Sequence, residues 1–276
     1  MADELPLFVD PDTLYNISNY EDVQIVAVDS ESDFVAGHID GAHRIDLGLL
    51  VAEQGPLHGL LPEPQVVADV CSSVGLRNDA TIVAYDRVGD VRAARFLYTL
   101  DAMGHDRIAL LDGGLSAWVH AGYELVDGES NPEPSHFSVA RRDEAIADHN
   151  WIKSHLDNDN FAVLDVRSAD EYAGRDVRSA RGGHVPGAAN LDWQQLKNAD
   201  GRLKSQVEID ALLAERGIKP DQQIVTYCQS HMRSSYAYLA LKARGYNQVR
   251  GYPGAWSDWG NREDTPVETG DTPARG

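Results

Sequence analysis

Cys71 and Cys228 are the only two thiols in a chain of 276 residues, and they stand in different surroundings. Cys228 ends the apolar run IVTYC, is followed by the polar loop QSHM, and faces a helical pattern that opens at Arg233. A cysteine at the carboxyl end of a strand, opposite the next helix's N-terminus, has the setting of a nucleophile. The helix dipole and its open N–H groups favour an anion there by about 0.3–1 kcal/mol, and up to ~2 when partly buried. A free thiol with a pKa of roughly 8.5 is mostly protonated at neutral pH, so it needs such help. Arg233 adds a permanent charge and a fork suited to the oxygens of an anionic substrate. His231 adds charge when protonated. Gln229, Ser230, Met232 and Ser234 complete the loop, the first three shaping it and setting access. Cys71, in QVVADVCSSVG, falls at helical spacing and reads as core. Neither cysteine has a CxxC or a nearby Cys/His partner, so no metal site is expected, and no cofactor.

The elements that must position Cys228 occur twice. VQIVAVDSESDFVAGHIDGAHRIDL (23–47), TIVAYDRVGDVRAARFLYTLDAMG (81–104) and RIALLDGGLSAWVHAG (107–122) make one series. FAVLDVRSADEYAG (161–174), GGHVPGAANLDW (182–193), QIVTYCQSHMRSSYAYLALKARG (223–245) and QVRGYPGAWSDWGN (248–261) repeat it in order, spacing and chemistry. Between them DGESNPEPSHF (127–137) has two prolines, polar composition and no periodicity, and reads as a linker spanning about 127–142. The expected domains are 1–134 and 135–276. Short apolar runs without alternation suit strands buried on both faces. Helical patterns between them imply a parallel sheet flanked by helices, an α/β fold in each domain. Gly75, Gly104, Gly217 and Gly245 close helices. Ligands of such sheets sit beyond the carboxyl ends of the strands, where Cys228 falls.

These motifs resemble the tandem-domain rhodaneses, the thiosulfate/mercaptopyruvate sulfurtransferase family, over nearly the whole chain. The residues that carry the likeness are Asp165 in LDVRSADEY, GGHVPGA (182–188), IVTYC with its loop, and GYPGAWSDWGN. The resemblance implies that only the second unit is catalytic and that Cys228 carries the sulfur as a persulfide. It implies an anionic donor, with thiosulfate ahead of 3-mercaptopyruvate, and cyanide or a thiol as acceptor. In the first unit GHIDGA (37–42) matches GHVPGA, and IVAYD matches IVTYC. Asp86 thus stands at the nucleophile's place, where a carboxylate cannot hold a transferable sulfur. The loop CQSHMRS departs from the basic loop of the vertebrate thiosulfate enzymes and the glycine-serine loop of the mercaptopyruvate enzymes. It is similar to the Cys-Gln-Thr-His-His-Arg loop of Azotobacter-type bacterial rhodaneses. Many members carry a substrate-binding arginine where this chain has Glu171.

Arg175, Arg178 and Arg181 lie in an insertion that the first unit lacks. They read as a solvated charged loop, or alternatively as the donor-binding charge that Glu171 does not supply. Trp256 and Trp259 read as packing, with lining of a cleft as the other reading. A formal net charge of −20 repels nucleic acid and anionic lipid, so neither is an expected partner. The same balance, with aspartate over glutamate and arginine over lysine, fits a salt-adapted source. No run reaches the ~18 apolar residues of a membrane span and the start lacks a signal-peptide pattern, so a cytoplasmic location is expected. The sequence carries no clear oligomeric signal, and a monomer is the expectation. Two rival functions remain at this level. A cysteine-based phosphatase would use a Cys-x5-Arg loop, against Cys-x4-Arg here, and a sulfur-binding or redox-sensing module would also need an activated cysteine.

Overall fold

The computed structural model describes residues 5–271. Two compact units divide the chain: one holds residues through Val51, Leu61–Arg142 and Ala199–Leu203, the other Ala52–Leu60, Asp143–Asn198 and Lys204 onward.

The first unit is built on strands β1 (Phe8–Val9), β2 (Val23–Ala27) and β3 (His43–Arg44). Helices α1 (Pro11–Ile17) and α2 (Glu31–Ala36) lie between them in sequence. After an excursion into the hairpin β4 (Ala52–Gln54) and β5 (Leu57–Leu60), the unit resumes with α3 (Pro64–Ser73), β6 (Thr81–Tyr85), α4 (Val91–Ala102), β7 (Ile108–Leu111) and α5 (Gly114–His120). The sheet runs β1-β7-β6-β2-β3, parallel throughout. Every residue of β2, β6 and β7 is buried, as continuous apolar runs require when both faces are covered. Ile25, Val83 and Ala109 meet Phe34, Leu115 and Trp118 in the core on one face.

The second unit holds α6 (His149–His155), β8 (Phe161–Asp165), α7 (Ala169–Ala173), β9 (Ala189–Asn190), α8 (Gln206–Ala214), β10 (Gln223–Tyr227), α9 (Arg233–Ala243), β11 (Val249–Gly251) and α10 (Ala255–Trp259). Its sheet runs β11-β10-β8-β9, again all parallel. Capping follows local chemistry: Ser168 and Ser205 each exchange hydrogen bonds with the glutamate three residues on, Glu171 and Glu208, closing capping boxes on α7 and α8. Trp256 and Trp259, 1% and 0% exposed, belong to this unit's core, which settles their role as packing.

Three features differ from the boundaries expected from sequence. The division falls after Arg142 rather than near residue 135, because most of the expected linker is bonded to the first unit. Ser135 N–H donates to the Ser72 carbonyl at 2.9 Å, Ala140 N–H to Met103 at 2.8 Å and Arg142 N–H to Ala102 at 2.8 Å. Residues 199–203 return to that unit, where Leu203 N–H donates to Asp112 Oδ1 at 2.8 Å. The hairpin β4–β5 leaves it and packs with the second unit. Among the described residues no helix is long and apolar enough to cross a membrane.

Candidate active site

β10 lies between β8 and β11, and Cys228 is the first residue beyond its carboxyl end. The strand end rests on a buried polar cluster. Arg167, 1% exposed, directs Nε and Nη2 at both oxygens of Asp165, at 2.6–3.1 Å. Tyr227 donates its hydroxyl to the same carboxylate at 2.6 Å and accepts the Val185 N–H at 3.2 Å. The Arg167 guanidinium also lies 4.5 Å from the centre of the Trp256 ring. Satisfied on all sides, such a cluster fixes where the strand stops.

α10 holds the loop from beneath. Trp256 N–H donates to the Cys228 carbonyl at 3.0 Å and Ser257 N–H to the Gln229 carbonyl at 2.9 Å. Ser257 Oγ, in turn, accepts the His58 N–H at 3.1 Å and donates to the His58 carbonyl at 2.8 Å, which clamps β5 beside the loop. Gly59 follows at φ +89°, and a Cβ there would stand 2.1 Å from the Ser230 carbonyl oxygen. Only glycine fits so close an approach of two backbones. Nothing in residues 52–60 as a sequence points to Cys228, since the His58–Ser257 contact joins positions 199 residues apart.

The loop's own side chains are now placed. Cys228 is 1% exposed, and Ser234 Oγ donates to its Sγ at 3.4 Å. Ser234 Oγ also lies 2.7 Å from His231 Nδ1, and both residues are fully buried. His231, expected as a charge-bearing loop residue, is thus joined to the sulfur through one hydroxyl. Its backbone sits in the left-handed region at φ +58°, uncommon for a residue with a side chain. Gln229, Ser230 and Met232 are half-buried, and Gln229 Nε2 donates to Ser179 Oγ at 3.2 Å and the Arg178 carbonyl at 3.3 Å.

Arg233 opens α9 as expected but is already engaged. Its Nη1 and Nη2 grip the two oxygens of Glu171 at 2.7 and 2.8 Å. Glu171 is 1% exposed. Burial alone would push its pKa up, but the hydrogen bonds and charge of Arg233 outweigh that and hold the carboxyl at about 2. The loop's permanent cation therefore carries a fixed counter-anion, which the sequence could not show across the 62 residues between them.

The arginines of the insertion are spent elsewhere. Arg175 pairs with Asp170 at 2.7 Å and Asp271 at 3.3 Å. Arg178 grips Asp176 at 2.7 Å and stands 3.8 Å from Glu171. Arg181 donates to the carbonyls of Trp259, Arg262 and Thr265 and to Thr265 Oγ1, pinning the segment after α10. Arg175 and Arg178 are each half exposed, and Arg181 is a structural tie.

The first unit shows the same loop with its anion in place. Asp86 follows β6 as Cys228 follows β10, and α4 begins five residues on, as α9 does. The Asp86 carboxylate accepts four backbone N–H bonds, from Val88 and Asp90 on Oδ1 at 2.7 and 2.9 Å, and from Arg92 and Ala93 on Oδ2 at 2.7 and 2.9 Å. Leu115 N–H donates to the Asp86 carbonyl as Trp256 N–H does to that of Cys228. The loop architecture is thus an anion cradle, and in this unit the chain's own carboxylate fills it. Cys71 lies far from such chemistry, in α3 at 0% exposure, where burial pushes its thiol up to about 12. Among the described residues no group of His, Cys, Asp and Glu is arranged to hold a metal ion.

The comparisons with known proteins agree with this duplication. A family model described as a rhodanese-like domain matches residues 10–121 and again 148–262. A thiosulfate sulfurtransferase of Pseudomonas aeruginosa is 37% identical over 96% of this chain and 98% of its own length. The thiosulfate sulfurtransferase of Azotobacter vinelandii is 36% identical over 96% and 97%. A crystal structure from Escherichia coli, that of a 3-mercaptopyruvate sulfotransferase, superposes with a TM-score of 0.82 at 27% identity, over 91% of this chain and 99% of that one. Repeated sheet, repeated loop and two matched segments lead to one statement: the chain belongs to the rhodanese family, with one rhodanese-like domain in each unit.

Proposed function

We propose that the chain is a sulfurtransferase that carries sulfane sulfur as a persulfide on Cys228, with thiosulfate as the leading donor. In the first step the Cys228 thiolate attacks the outer sulfur of the donor. A new S–S bond forms to Sγ, and the donor's own S–S bond breaks with its electron pair leaving on sulfite. In the second step a thiol or cyanide attacks the outer sulfur of the persulfide, and Cys228 departs as thiolate. The observation that carries this reading is the duplicated loop. Where the first unit closes four N–H bonds on the Asp86 carboxylate, the second has a sulfur at the same point of the fold. A loop of this length encloses one anionic atom or small group and leaves less room for a tetrahedral phosphate. The thiosulfate sulfurtransferases among its relatives support the choice of donor. The reading extends to a cytoplasmic location, in keeping with two free, buried cysteines, and to a monomer.

Steady-state kinetics with thiosulfate and cyanide test it. The account expects parallel lines in double-reciprocal plots, because the first product leaves before the acceptor binds. Intersecting lines would mean that both substrates bind together and would remove the persulfide step.

A further inference from the structure

We propose that Ser234 is a catalytic residue that passes a proton from the Cys228 thiol to the His231 imidazole, so that the nucleophile forms as a thiolate facing an imidazolium across one hydroxyl. The geometry is a continuous chain, with 3.4 Å from Sγ to Ser234 Oγ and 2.7 Å from Oγ to His231 Nδ1. A serine hydroxyl has one proton and two lone pairs, so it can accept from one neighbour while donating to the other. In the structure the hydroxyl proton points at Sγ; turned toward Nδ1 instead, it leaves Oγ free to accept the thiol, so that S–H donates to Oγ and Oγ–H donates to Nδ1. A concerted shift moves the thiol proton to Oγ and the hydroxyl proton to Nδ1. It leaves S⁻, an intact hydroxyl and a protonated ring, with no other reactant consumed. After the shift Oγ–H donates to the thiolate and Nδ1–H to Oγ, so the hydroxyl keeps both of its hydrogen bonds.

The rest of the loop is arranged to hold this line. Ser235 Oγ donates to the His231 carbonyl at 2.5 Å, and Thr226 Oγ1 donates to the Ser234 carbonyl at 3.1 Å. His231 occupies a left-handed backbone position, φ +58°, at the point where the first unit has Gly89, φ +84°. Glycine adopts that conformation freely, whereas a residue with a side chain does so against the clash of its Cβ with the following carbonyl. Within two loops of equal length, the three positions of the chain differ together: Asp86, Gly89 and Arg92 in the first, Cys228, His231 and Ser234 in the second. A structural need for the turn alone would have been met by glycine.

The proposal rests on the sulfurtransferase reading for its use in turnover, whereas its test reads the thiol directly. The second-order rate of iodoacetamide alkylation at Cys228, followed by mass spectrometry of the full chain at neutral pH, is compared across variants. Ser234→Ala and His231→Asn, the latter keeping a residue tolerant of left-handed backbone, are each expected to react about tenfold more slowly. Ser234→Thr keeps the hydroxyl and is expected near the wild-type rate. The double variant Ser234→Ala/His231→Asn is expected to be no slower than the slower single, because either change breaks the same path. Wild-type reactivity in Ser234→Ala or His231→Asn, or losses that multiply in the double variant, would overturn the relay. Wild-type protein that fails to transfer sulfur yet shows this alkylation pattern would overturn the sulfurtransferase reading and leave the relay standing.

Discussion

Replacing Cys228 by alanine is expected to lower sulfur transfer from thiosulfate to cyanide by about 10⁴-fold or more, to the uncatalysed background. The fold should survive, because the change removes one sulfur atom at a residue whose backbone is held by Trp256 and whose strand is fixed by Asp165, Arg167 and Tyr227. Cys71→Ala is the matched control. It removes the other thiol, from the buried face of α3, and costs about 1 kcal/mol of stability as a small core truncation, with transfer retained. The two variants separate a covalent role for one cysteine from any general need for thiols. Activity that persists in Cys228→Ala and is lost in Cys71→Ala would assign the chemistry to the wrong unit.

The second large effect is expected at Glu171. Glu171→Gln retains an acceptor oxygen for the Ser168 capping box, now an amide carbonyl in place of the carboxylate, but removes the charge that neutralises Arg233. An uncompensated guanidinium at the head of α9 attracts an anionic donor more strongly, so KM for thiosulfate should fall several-fold. Stability should fall as well. The carboxyl is held at about 2 against an ordinary value of 4.5, which corresponds to a contribution on the order of 3 kcal/mol near neutral pH. The sign follows from the depressed value. The contribution is present in full above about 4.5, where the unfolded chain's glutamate is ionised, and is lost as pH falls towards 2, where the folded carboxyl takes up a proton. Denaturant unfolding of the two proteins should therefore differ most near neutrality and converge between those limits. A gap independent of pH would show that the ion pair is not its source.

Much of this arrangement could be read from the residues alone, and the remainder has identifiable physical causes. The duplication was legible because strands buried on both faces must be continuous apolar runs, so TIVAY and QIVTY announce the same β-strand twice. Cys228 was legible because strand end, loop and helix start are consecutive in sequence. Glycines at 75, 104, 217 and 245 marked helix ends, and all four have positive φ. What stayed hidden depends on contacts between distant segments. The Glu171 partner of Arg233 is set by where α7 packs against the loop, and the closeness of Gly59 to Ser230 by a hairpin that leaves its own unit. Arg181 looked like a free cation because its partners are backbone carbonyls, which carry no sequence signature. The linker looked irregular and polar, yet irregular chain can be ordered by N–H bonds to helix ends, as Ser135 and Ala140 are.

The central claim, a persulfide on one cysteine, is tested most directly by intact mass under non-reducing conditions. After incubation with thiosulfate and removal of small molecules, the wild-type chain is predicted to gain the mass of one sulfur atom, carried on Cys228. Cyanide should then remove it with stoichiometric thiocyanate, and Cys228→Ala should gain nothing. A wild-type chain that turns over thiosulfate without ever gaining that mass, or that gains it equally in Cys228→Ala, would contradict the account.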